Sequence, residues 1–246
     1  MFSIFKKKPL PPVDLSAIKT DIHSHLLPGI DDGSPDAEMS LQLIKGLQDL
    51  GLENFIATPH ILQGMYNNDA NTIATAHTIL KNATATVDPD LNLTYAAEYF
   101  MDDHFERLLQ EKTPLLTLRD NKVLCEFSFV SAPYNYKELL FEMQMSGYQP
   151  VLAHPERYLY FANQKQIFEE LKHAGCFFQL NLLSLAGYYG KASLDLAAYF
   201  IKQDWVDFVG TDMHHLRHLD ALRHANHMMP LLNELAQNGR LMNASM

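Results

Sequence analysis

Residues 20–40, TDIHSHLLPGIDDGSPDAEMS, place two histidines at the end of a short apolar run and two aspartates shortly after it. The apolar run predicts a strand, and His23 and His25, two residues apart on it, project from the same face. The next segment has the signals of a helix, with Ser34 suited to the N-cap and Gly51 to the end. A strand that ends in histidines and leads into a helix is therefore the first unit of the predicted fold.

The same unit recurs along the chain. Apolar runs alternate with helical segments, which favours parallel strands joined by right-handed crossovers, in either an α/β barrel or a doubly wound sheet. The seven candidate strands are IKTDIHSH (18–25), NFIATPH (54–60), LNLTYAAEY (91–99), KVLCEFSF (122–129), QPVLAHPE (149–156), CFFQLNLLS (176–184) and WVDFVGTDMH (205–214). Nearly every run ends in a residue that can bind a metal ion. This regularity favours the barrel, because its strands converge on one rim, where active sites lie.

Nine residues at these strand ends form the predicted set of metal ligands. They are His23, His25, Asp32, His60, Glu98, Glu126, His154, Asp212 and His214. One ion takes about four to six ligands, so the set predicts two or three divalent ions. Glu98 and Glu126 stand inside apolar runs, where a buried carboxylate needs a cation to offset a desolvation cost of several kcal/mol. Asp31, next to Asp32, is expected to serve the turn or the helix entry.

Such a site predicts hydrolysis at phosphorus or carbon, with a hydroxide bridging the ions as the nucleophile. Arg157, three residues after His154, has the planar fork that binds phosphate oxygens, although a surface salt bridge with Glu156 or another neighbour would also account for it. Arg217 and His215 lie closest in sequence to the last ligand pair. They are therefore the members of the cationic segment MHHLRHLDALRHANH that are predicted to reach the site.

Several other catalytic classes are excluded by the sequence. A cysteine-based phosphatase needs an arginine six residues after its cysteine, but Ser131 follows Cys125 at that distance and Leu182 follows Cys176. A Gly-x-Ser-x-Gly elbow and a Gly-x-x-x-x-Gly-Lys nucleotide loop are also absent from the sequence.

Composition and charge limit the partners. The formal net charge of −10 argues against a nucleic-acid partner, because phosphate backbones require a basic face. The two cysteines lie in apolar runs and do not indicate a disulfide framework, so a cytoplasmic location is expected. Residues 1–18 are rich in lysine and proline and predict a flexible tail, with peripheral contact to an anionic membrane as the alternative. A single domain is predicted over residues 19–246.

In this order, the motifs DIHSH, PGIDDGS, ATPH, AAEY, CEFSF, AHPERY and TDMHH resemble the polymerase-and-histidinol-phosphatase (PHP) superfamily. More narrowly, they resemble the bacterial manganese-dependent protein-tyrosine phosphatases of capsule and exopolysaccharide loci, the CpsB/CapC type. The resemblance implies a distorted (β/α)7 TIM-like barrel with its active site at the C-terminal rim of the strands. It also implies a phosphotyrosine substrate on a bacterial tyrosine autokinase that controls polysaccharide synthesis.

The resemblance further implies how three ions would be held. One ion would take His23, His25, Glu98 and Asp212; a second would share Glu98 and add Glu126 and His154; a third would take Asp32, His60 and His214. Arg157 would hold the phosphate. The second arginine of such proteins stands further beyond the Asp-x-His pair than Arg217 does, so the loop here is shorter.

Two other functions fit the same residues. One is a small-molecule phosphatase of the histidinol-phosphate type, and the other is a non-catalytic metal-binding module that docks on a kinase. The ligand chemistry also accepts several metals, so Mn2+ is the expected ion, with Fe, Zn, Co or Mg as alternatives. The oligomeric state is not predicted from the sequence.

Overall fold

The computed structural model of this 246-residue chain describes residues 11–246. Residues 1–10, which carry the lysines of the predicted tail, lie outside the described residues. The rest of that tail is packed: Val13, Leu15 and Ile18 are buried in the main hydrophobic core. Packed chain therefore begins before residue 19, the predicted domain boundary.

Strands and helices alternate along most of the described residues. The strands within residues 11–246 are β1 (Thr20–Asp21), β2 (Asn54–Ala57), β3 (His60–Ile61), β4 (Asn92–Tyr95), β5 (Glu98–Phe100), β6 (Lys122–Glu126), β7 (Gln149–Ala153), β8 (Phe177–Asn181) and β9 (Phe208–Gly210). The α-helices of the same part are α1 (Ala37–Gln48), α2 (Ala70–Thr84), α3 (Asp103–Gln110), α4 (Tyr136–Met145), α5 (Gln166–His173), α6 (Leu182–Leu185), α7 (Lys191–Lys202), α8 (Leu216–Arg223) and α9 (Met229–Gln237). None of these described helices combines the length and the apolar character needed to span a bilayer.

All strand pairs within the two sheets are parallel. One sheet has the order β1-β2-β4, and the other has the order β3-β5-β6-β7-β8-β9. The prediction of an α/β fold with parallel strands is confirmed. Each crossover carries the chain back over the sheet through helix or loop, so the carboxyl ends of the strands lie together.

Two of the seven predicted strands are each split into two strands. The second predicted strand contains β2 and β3, which are separated by Thr58 and Pro59, and the third contains β4 and β5. Proline has no N–H, so the ladder is interrupted where Pro59 stands. Hydrogen bonds still cross the gap, from Ala96 N to Ala57 O (2.8 Å) and from Glu98 N to Pro59 O (3.0 Å).

The chain just after β9 contacts the chain just after β1. Ser24 and Met213 form an isolated parallel bridge. Two backbone hydrogen bonds accompany it, from His25 N to Met213 O (2.9 Å) and from Asp212 N to His23 O (2.8 Å). The first and last predicted strands therefore meet beyond their assigned ends.

A small apolar cluster lies below the carboxyl ends of the strands. Its buried members come mostly from the strand segments and are Ile22, Ile56, Ala96, Leu118, Leu124, Val151, Ala153 and Phe208. Ala96 and Leu124 each precede a glutamate by two residues, at Glu98 and Glu126, and therefore share its strand face. The carboxylates consequently rest on apolar side chains, which exclude water from beneath the site.

Candidate metal centre

The carboxyl ends of the strands surround a cavity of about 260 Å³. Its lining residues are Asp32, His60, Glu98, Glu126, Phe129, His154, Arg157, Tyr189, Asp212, His214, His215 and His218. Seven of the nine predicted ligands are among them, and His23 and His25 lie fully buried against Glu98. Residues from every strand segment but the sixth thus bring all nine predicted ligands to one place.

Four of these residues, which we call the deep set, are His23, His25, Glu98 and Asp212. Each histidine points its Nε2 atom at the same two carboxylate oxygens. The distances are 3.2 Å from His23 to Glu98 Oε2, 3.4 Å from His25 to Glu98 Oε2, 3.4 Å from His23 to Asp212 Oδ1 and 3.3 Å from His25 to Asp212 Oδ1. The two Nε2 atoms are themselves 3.4 Å apart.

These separations match a metal site. Ligand atoms that lie about 2.1 Å from one ion are about 3.4 Å from each other in a tetrahedral arrangement and about 3.0 Å in an octahedral one. Glu98 Oε2 is also buried without a hydrogen-bond partner among the described residues, as is His60 Nδ1, which faces it at 3.2 Å. Buried polar atoms normally have a hydrogen-bond partner. The deep set therefore fits a divalent ion both by its distances and because Glu98 Oε2 lacks a hydrogen bond.

Glu98 also faces a second group. Its Oε1 lies 3.1 Å from His154 Nε2, while Glu126 Oε2 lies 3.8 Å from the same nitrogen. Glu126 Oε1 approaches His60 Nδ1 at 3.0 Å. The two oxygens of Glu98 therefore point to different groups, as a bridging carboxylate requires.

Three residues nearer to solvent, which we call the mouth set, are Asp32, His60 and His214. Asp32 Oδ1 lies 3.6 Å from His60 Nε2 and 3.5 Å from His214 Nε2. The Asp32 side chain is 49% exposed and each histidine is 14% exposed. Together with His25, their ligand atoms lie within 4.8 Å of one another. The mouth set is thus more open and more widely spaced than the deep set.

The groups formed by proximity differ in part from the predicted ligand sets. His25 falls within reach of both the deep and the mouth sets, and His60 is grouped with Glu98 and Glu126 as well as with Asp32. His154 is grouped with His23 and Asp212. Several residues therefore stand between neighbouring groups, and the division among three ions stays a prediction.

Hydrogen bonds to the outer ring nitrogens orient three of the histidines. His23 Nδ1 contacts Gln179 Oε1 at 2.7 Å, His25 Nδ1 contacts Asp31 Oδ2 at 2.8 Å, and His214 Nδ1 contacts the backbone oxygen of Asp212 at 2.8 Å. Each oxygen accepts a proton from Nδ1, so Nε2 is the ring atom directed into the site, where it can bind a metal ion or a proton.

The loop between β1 and α1 is folded back onto the site. Ser34 N donates to His25 O (3.0 Å), and a Cβ atom at Gly33 would lie 2.2 Å from that same oxygen, so only glycine permits this approach. Asp31 binds Gly33 N (3.0 Å) as well as the ring of His25, so it serves the turn and the site together. The helix α1 begins at Ala37, so its N-cap is Asp36 rather than the predicted Ser34, and Asp36 accepts from Met39 N (2.8 Å).

Two strand ends have unusual backbone conformations. His154 has a φ of 35° and Asp212 a φ of 51°, both in the left-handed region that non-glycine residues seldom adopt. Such conformations cost roughly 1–3 kcal/mol each and persist where surrounding contacts hold them. At both residues the side chain lies in the cavity, so the strain coincides with the site.

The imidazoles and carboxylates of the deep set stabilise each other's charged forms. Burial would lower the pKa of His23, but the adjacent carboxylates of Glu98 and Asp212 raise it to about 9. Burial likewise opposes ionisation of Glu98 and Asp212, yet nearby imidazoles, above all that of His23, hold both pKa values well below their usual range. The carboxylates are therefore ionised at neutral pH and attract positive charge, either as protons on imidazole or as metal ions.

Arg157 lies at the cavity wall, on a short 3-10 helix (Pro155–Arg157) after β7. One guanidinium nitrogen, Nη1, donates to Asp212 Oδ2 at 3.0 Å. The guanidinium lies 4.2 Å from the ring centre of Phe129 and 4.0 Å from that of Tyr189. Glu156 is not its partner, because Glu156 is buried and accepts from Ser184 Oγ (2.6 Å) instead. The geometry does not support the alternative of a salt bridge between Arg157 and Glu156.

Arg217 is placed differently from Arg157. It is exposed on α8 and is not among the residues that line the cavity. His215, which was predicted to reach the site, does line it, together with His218 one helical turn further on. The N-cap at His215 turns the chain there, so the next helical positions face different directions and Arg217 points away from the cavity.

Besides His218 and Asp31, four residues at the site were not predicted from the sequence. Phe129 and Tyr189 line the cavity, Gln179 orients His23, and Asn181 Nδ2 donates to Asp212 Oδ2 at 2.9 Å. The position of Asn181 at the end of the sixth strand was a signal, since the other six strands end in site residues. Amide and aromatic side chains are not typical metal ligands, so a pattern of metal-binding residue types does not identify them.

The chain matches known proteins over most of its length. The family described as capsular polysaccharide synthesis, CpsB/CapC, matches residues 19–229. The tyrosine-protein phosphatase YwqE of Bacillus subtilis is 31% identical over 198 residues, which cover 80% of this chain and 78% of that protein. The tyrosine-protein phosphatase CpsB of Streptococcus pneumoniae is 33% identical over 203 residues, which cover 80% and 83%.

A solved structure resembles this one as well. It comes from a study of YwqE from Bacillus subtilis and CpsB from Streptococcus pneumoniae, described as unique metal-dependent tyrosine phosphatases. The superposition has a TM-score of 0.76 at 28% identity and covers 91% of this chain and 94% of that one.

Proposed function

The chain belongs to the CpsB/CapC family of capsular polysaccharide synthesis, and on this premise we propose that it is a metal-dependent protein-tyrosine phosphatase. Its relatives named above are tyrosine-protein phosphatases, and the solved structures of that family are described as metal-dependent. The reaction is the hydrolysis of a phosphoric monoester. The substrate we propose is phosphotyrosine on a bacterial tyrosine kinase that controls capsular or exopolysaccharide synthesis.

The observation that carries this proposal is the spacing within the deep set. Four ligand atoms from three distant parts of the chain lie 3.2–3.4 Å apart in the contacts given above, as ligands of one ion do. In a soluble protein, burying two carboxylates and two imidazoles so close together is costly unless a cation joins them.

We propose the ligand sets that the family resemblance implies. The deep set would hold one ion; Glu98, Glu126 and His154 would hold a second; and the mouth set would hold a third. Mn2+ is the ion we expect. Divalent ions in such a site supply Lewis acidity, which activates water and neutralises charge on the phosphoryl oxygens.

The chain's own residues would bind and orient the substrate. Arg157 keeps several N–H groups besides the one bonded to Asp212, and these would bind phosphoryl oxygens. Asn181 and Arg157 both donate to Asp212 Oδ2, which leaves Oδ1 for the deep set. The cavity is smaller than the roughly 300–1,000 Å³ of most small-molecule sites. A cavity of this size has room for one phosphorylated side chain, and the rest of the peptide would lie outside it.

We also propose that the two sheets form one distorted seven-stranded barrel within a single domain. The bridge between Ser24 and Met213 supports closure, because it links the first and last predicted strands. A Cβ atom at Gly210 would lie 2.7 Å from the Cβ of His23, so the missing side chain permits this close approach. The apolar cluster drawn from the strand segments would fill the interior. Two free, buried cysteines support our proposal of a cytoplasmic location.

The test compares substrates and metals. Protein stripped with EDTA should lose hydrolysis of a phosphotyrosine peptide and regain it with Mn2+, and metal analysis should find two or three ions per chain. Histidinol phosphate serves as the comparison substrate and should react more slowly. Activity that survives exhaustive chelation, or a preference for histidinol phosphate, would contradict the proposal.

A further inference from the structure

Two aromatic rings stand at the mouth of an otherwise polar cavity. The ring centres of Phe129 and Tyr189 lie 4.2 Å and 4.0 Å from the Arg157 guanidinium, and both residues line the cavity. Phe129 is 49% exposed, although a phenylalanine normally buries most of its surface. The ring surface that remains uncovered therefore faces the entrance rather than the core.

The loop that carries Phe129 is fixed at its base. Tyr158 Oη accepts from Phe127 N (2.9 Å), and Tyr160 Oη donates to Ser128 O (3.0 Å). The ring of Phe129 also packs against the imidazole of His154, with 5.4 Å between ring centres. These contacts fix the backbone around Phe129, so its exposed ring is held close to Arg157.

We propose that Phe129 and Tyr189 select aromatic phosphate esters, by packing against the ring of the phosphotyrosine whose phosphate Arg157 binds. This inference rests on the proposed function and adds the basis of its substrate choice. Both rings lie within about 4 Å of the guanidinium, so a phosphate bound to Arg157 brings the ester oxygen and the group attached to it close to them. A phenyl group there covers exposed ring surface, whereas the short chain of a serine phosphate leaves it in water.

The surrounding surface has the same character. Val130 and Tyr134, on the same loop as Phe129, are exposed, as is Tyr188 next to Tyr189. Exposed apolar side chains that follow cavity residues in sequence extend the apolar surface beyond the two rings, and such surface often marks an interaction site. The peptide on either side of the phosphotyrosine would lie across this rim.

The first experiment measures a ratio of specificities. In Mn2+-loaded protein, kcat/KM is determined for a phosphotyrosine peptide and for the same peptide with phosphoserine. Phe129→Leu keeps an apolar side chain but removes the ring, and we expect the tyrosine-to-serine ratio to fall about tenfold. Tyr189→Leu should lower the ratio similarly, whereas Tyr189→Phe, which keeps the ring, should have the same ratio as wild type. Phe141→Leu removes the ring of another exposed phenylalanine, 61% exposed on α4 and not among the residues that line the cavity, and it is the matched control that should leave the ratio unchanged.

Equal losses on both substrates would overturn the inference, because they would mean that the rings only hold Arg157 in place. An unchanged ratio in Phe129→Leu would overturn it as well.

A binding measurement separates this inference from the proposed function. Calorimetry on the metal-loaded protein compares phenylphosphonate with methylphosphonate, neither of which is hydrolysed. We expect wild type to bind the phenyl compound more tightly and Phe129→Leu to lose most of that preference. If wild type shows the preference but hydrolyses no phosphotyrosine peptide, the proposed function fails and the aromatic selection stands. If wild type hydrolyses the peptide but binds both phosphonates equally, the selection fails and the function stands.

Discussion

The deep set and the mouth set use the same ligand types but are built differently. His23, His25 and Glu98 have no exposed surface, and hydrogen bonds orient both histidines from behind. In the mouth set, Asp32 is half exposed on a loop and its contacts with imidazole are 3.5–3.6 Å long. Ligands that start from strand ends are held by the sheet itself, whereas a loop ligand is held only by local turns.

This difference predicts unequal ion binding. The deep set is organised by folding and has little freedom left to lose, so an ion there should bind tightly and stabilise the folded protein. The mouth set must order an exposed aspartate when an ion binds, so that ion should be weaker and easier to remove. The predictions below test this contrast, from the largest expected effect to the smallest.

The strongest test is Glu98→Gln. Glu98 faces the deep set with one oxygen and His154 with the other, so its loss should disrupt two ion sites at once. We expect kcat to fall by roughly a thousandfold or more, since the two ions that Glu98 would hold together contribute several kcal/mol of transition-state stabilisation. Phosphatase kinetics and metal analysis measure this. Glu111→Gln, an exposed glutamate that lies away from the cavity, is the control. A variant with full metal content and normal kcat would refute the role of Glu98.

The next test is Arg157→Ala. Its guanidinium is held by Asp212 of the deep set and flanked by two rings, so it is prepared to bind phosphate before substrate arrives. Removing such a donor should lower kcat/KM about a hundredfold while leaving metal content unchanged. Arg157→Lys should recover little, because lysine lacks the planar fork. Arg217→Ala, on the exposed face of α8, should retain near-normal kinetics. Comparable losses at Arg157 and Arg217 would mean that α8 moves over the site when substrate binds.

A third test concerns the support behind the deep set. Gln179→Ala removes the oxygen that accepts from His23 Nδ1. Partners of this kind usually change metal affinity by about 10–100-fold, and we expect about tenfold here, because an amide supports the ring less strongly than a carboxylate. Titration of metal-free protein with Mn2+ gives the affinity. Gln203→Ala, at the exposed end of α7, is the control. Unchanged affinity would show that the backbone alone positions His23.

The smallest effect is expected for Asp32→Asn. This variant should lose about one ion per chain but keep most of the activity and most of the thermal stabilisation that Mn2+ gives the wild type. Saturation of a tight site at about 100 times its Kd adds about 2.7 kcal/mol, and in a chain of this size that raises Tm by about 5–10 °C. Calorimetric scans with and without EDTA measure the shift. If Asp32→Asn lost this stabilisation completely, the mouth set would be as important to folding as the deep set.

Most of the chemistry of this site could be predicted from the sequence. Ligands that end successive strands can be found one by one, because a parallel α/β arrangement must bring those ends together. The sequence therefore identified His23, His25 and the other seven residues that the structure gathers at one cavity. It also identified the parallel α/β class, since strand and helix patterns are local and repeat along the chain.

Other features depended on contacts between distant residues. Asp31 looked like a turn residue, but the fold places its carboxylate against the ring of His25. Arg217 stood near the ligands in sequence, yet the direction in which α8 begins left it in solvent. Gln179 and Phe129 belong to residue types with many uses, and only their positions beside His23 and Arg157 indicate what they do.

The sequence by itself determined the ligand types and their order along the chain, because a residue's chemistry and its distance from the end of a strand are local properties. The tertiary structure decided which oxygen of Glu98 faces which imidazole, which nitrogen of each histidine is free, and which of the two arginines reaches the cavity. Those outcomes depend on angles between strands and on where a loop folds back, and neither is encoded by any one segment.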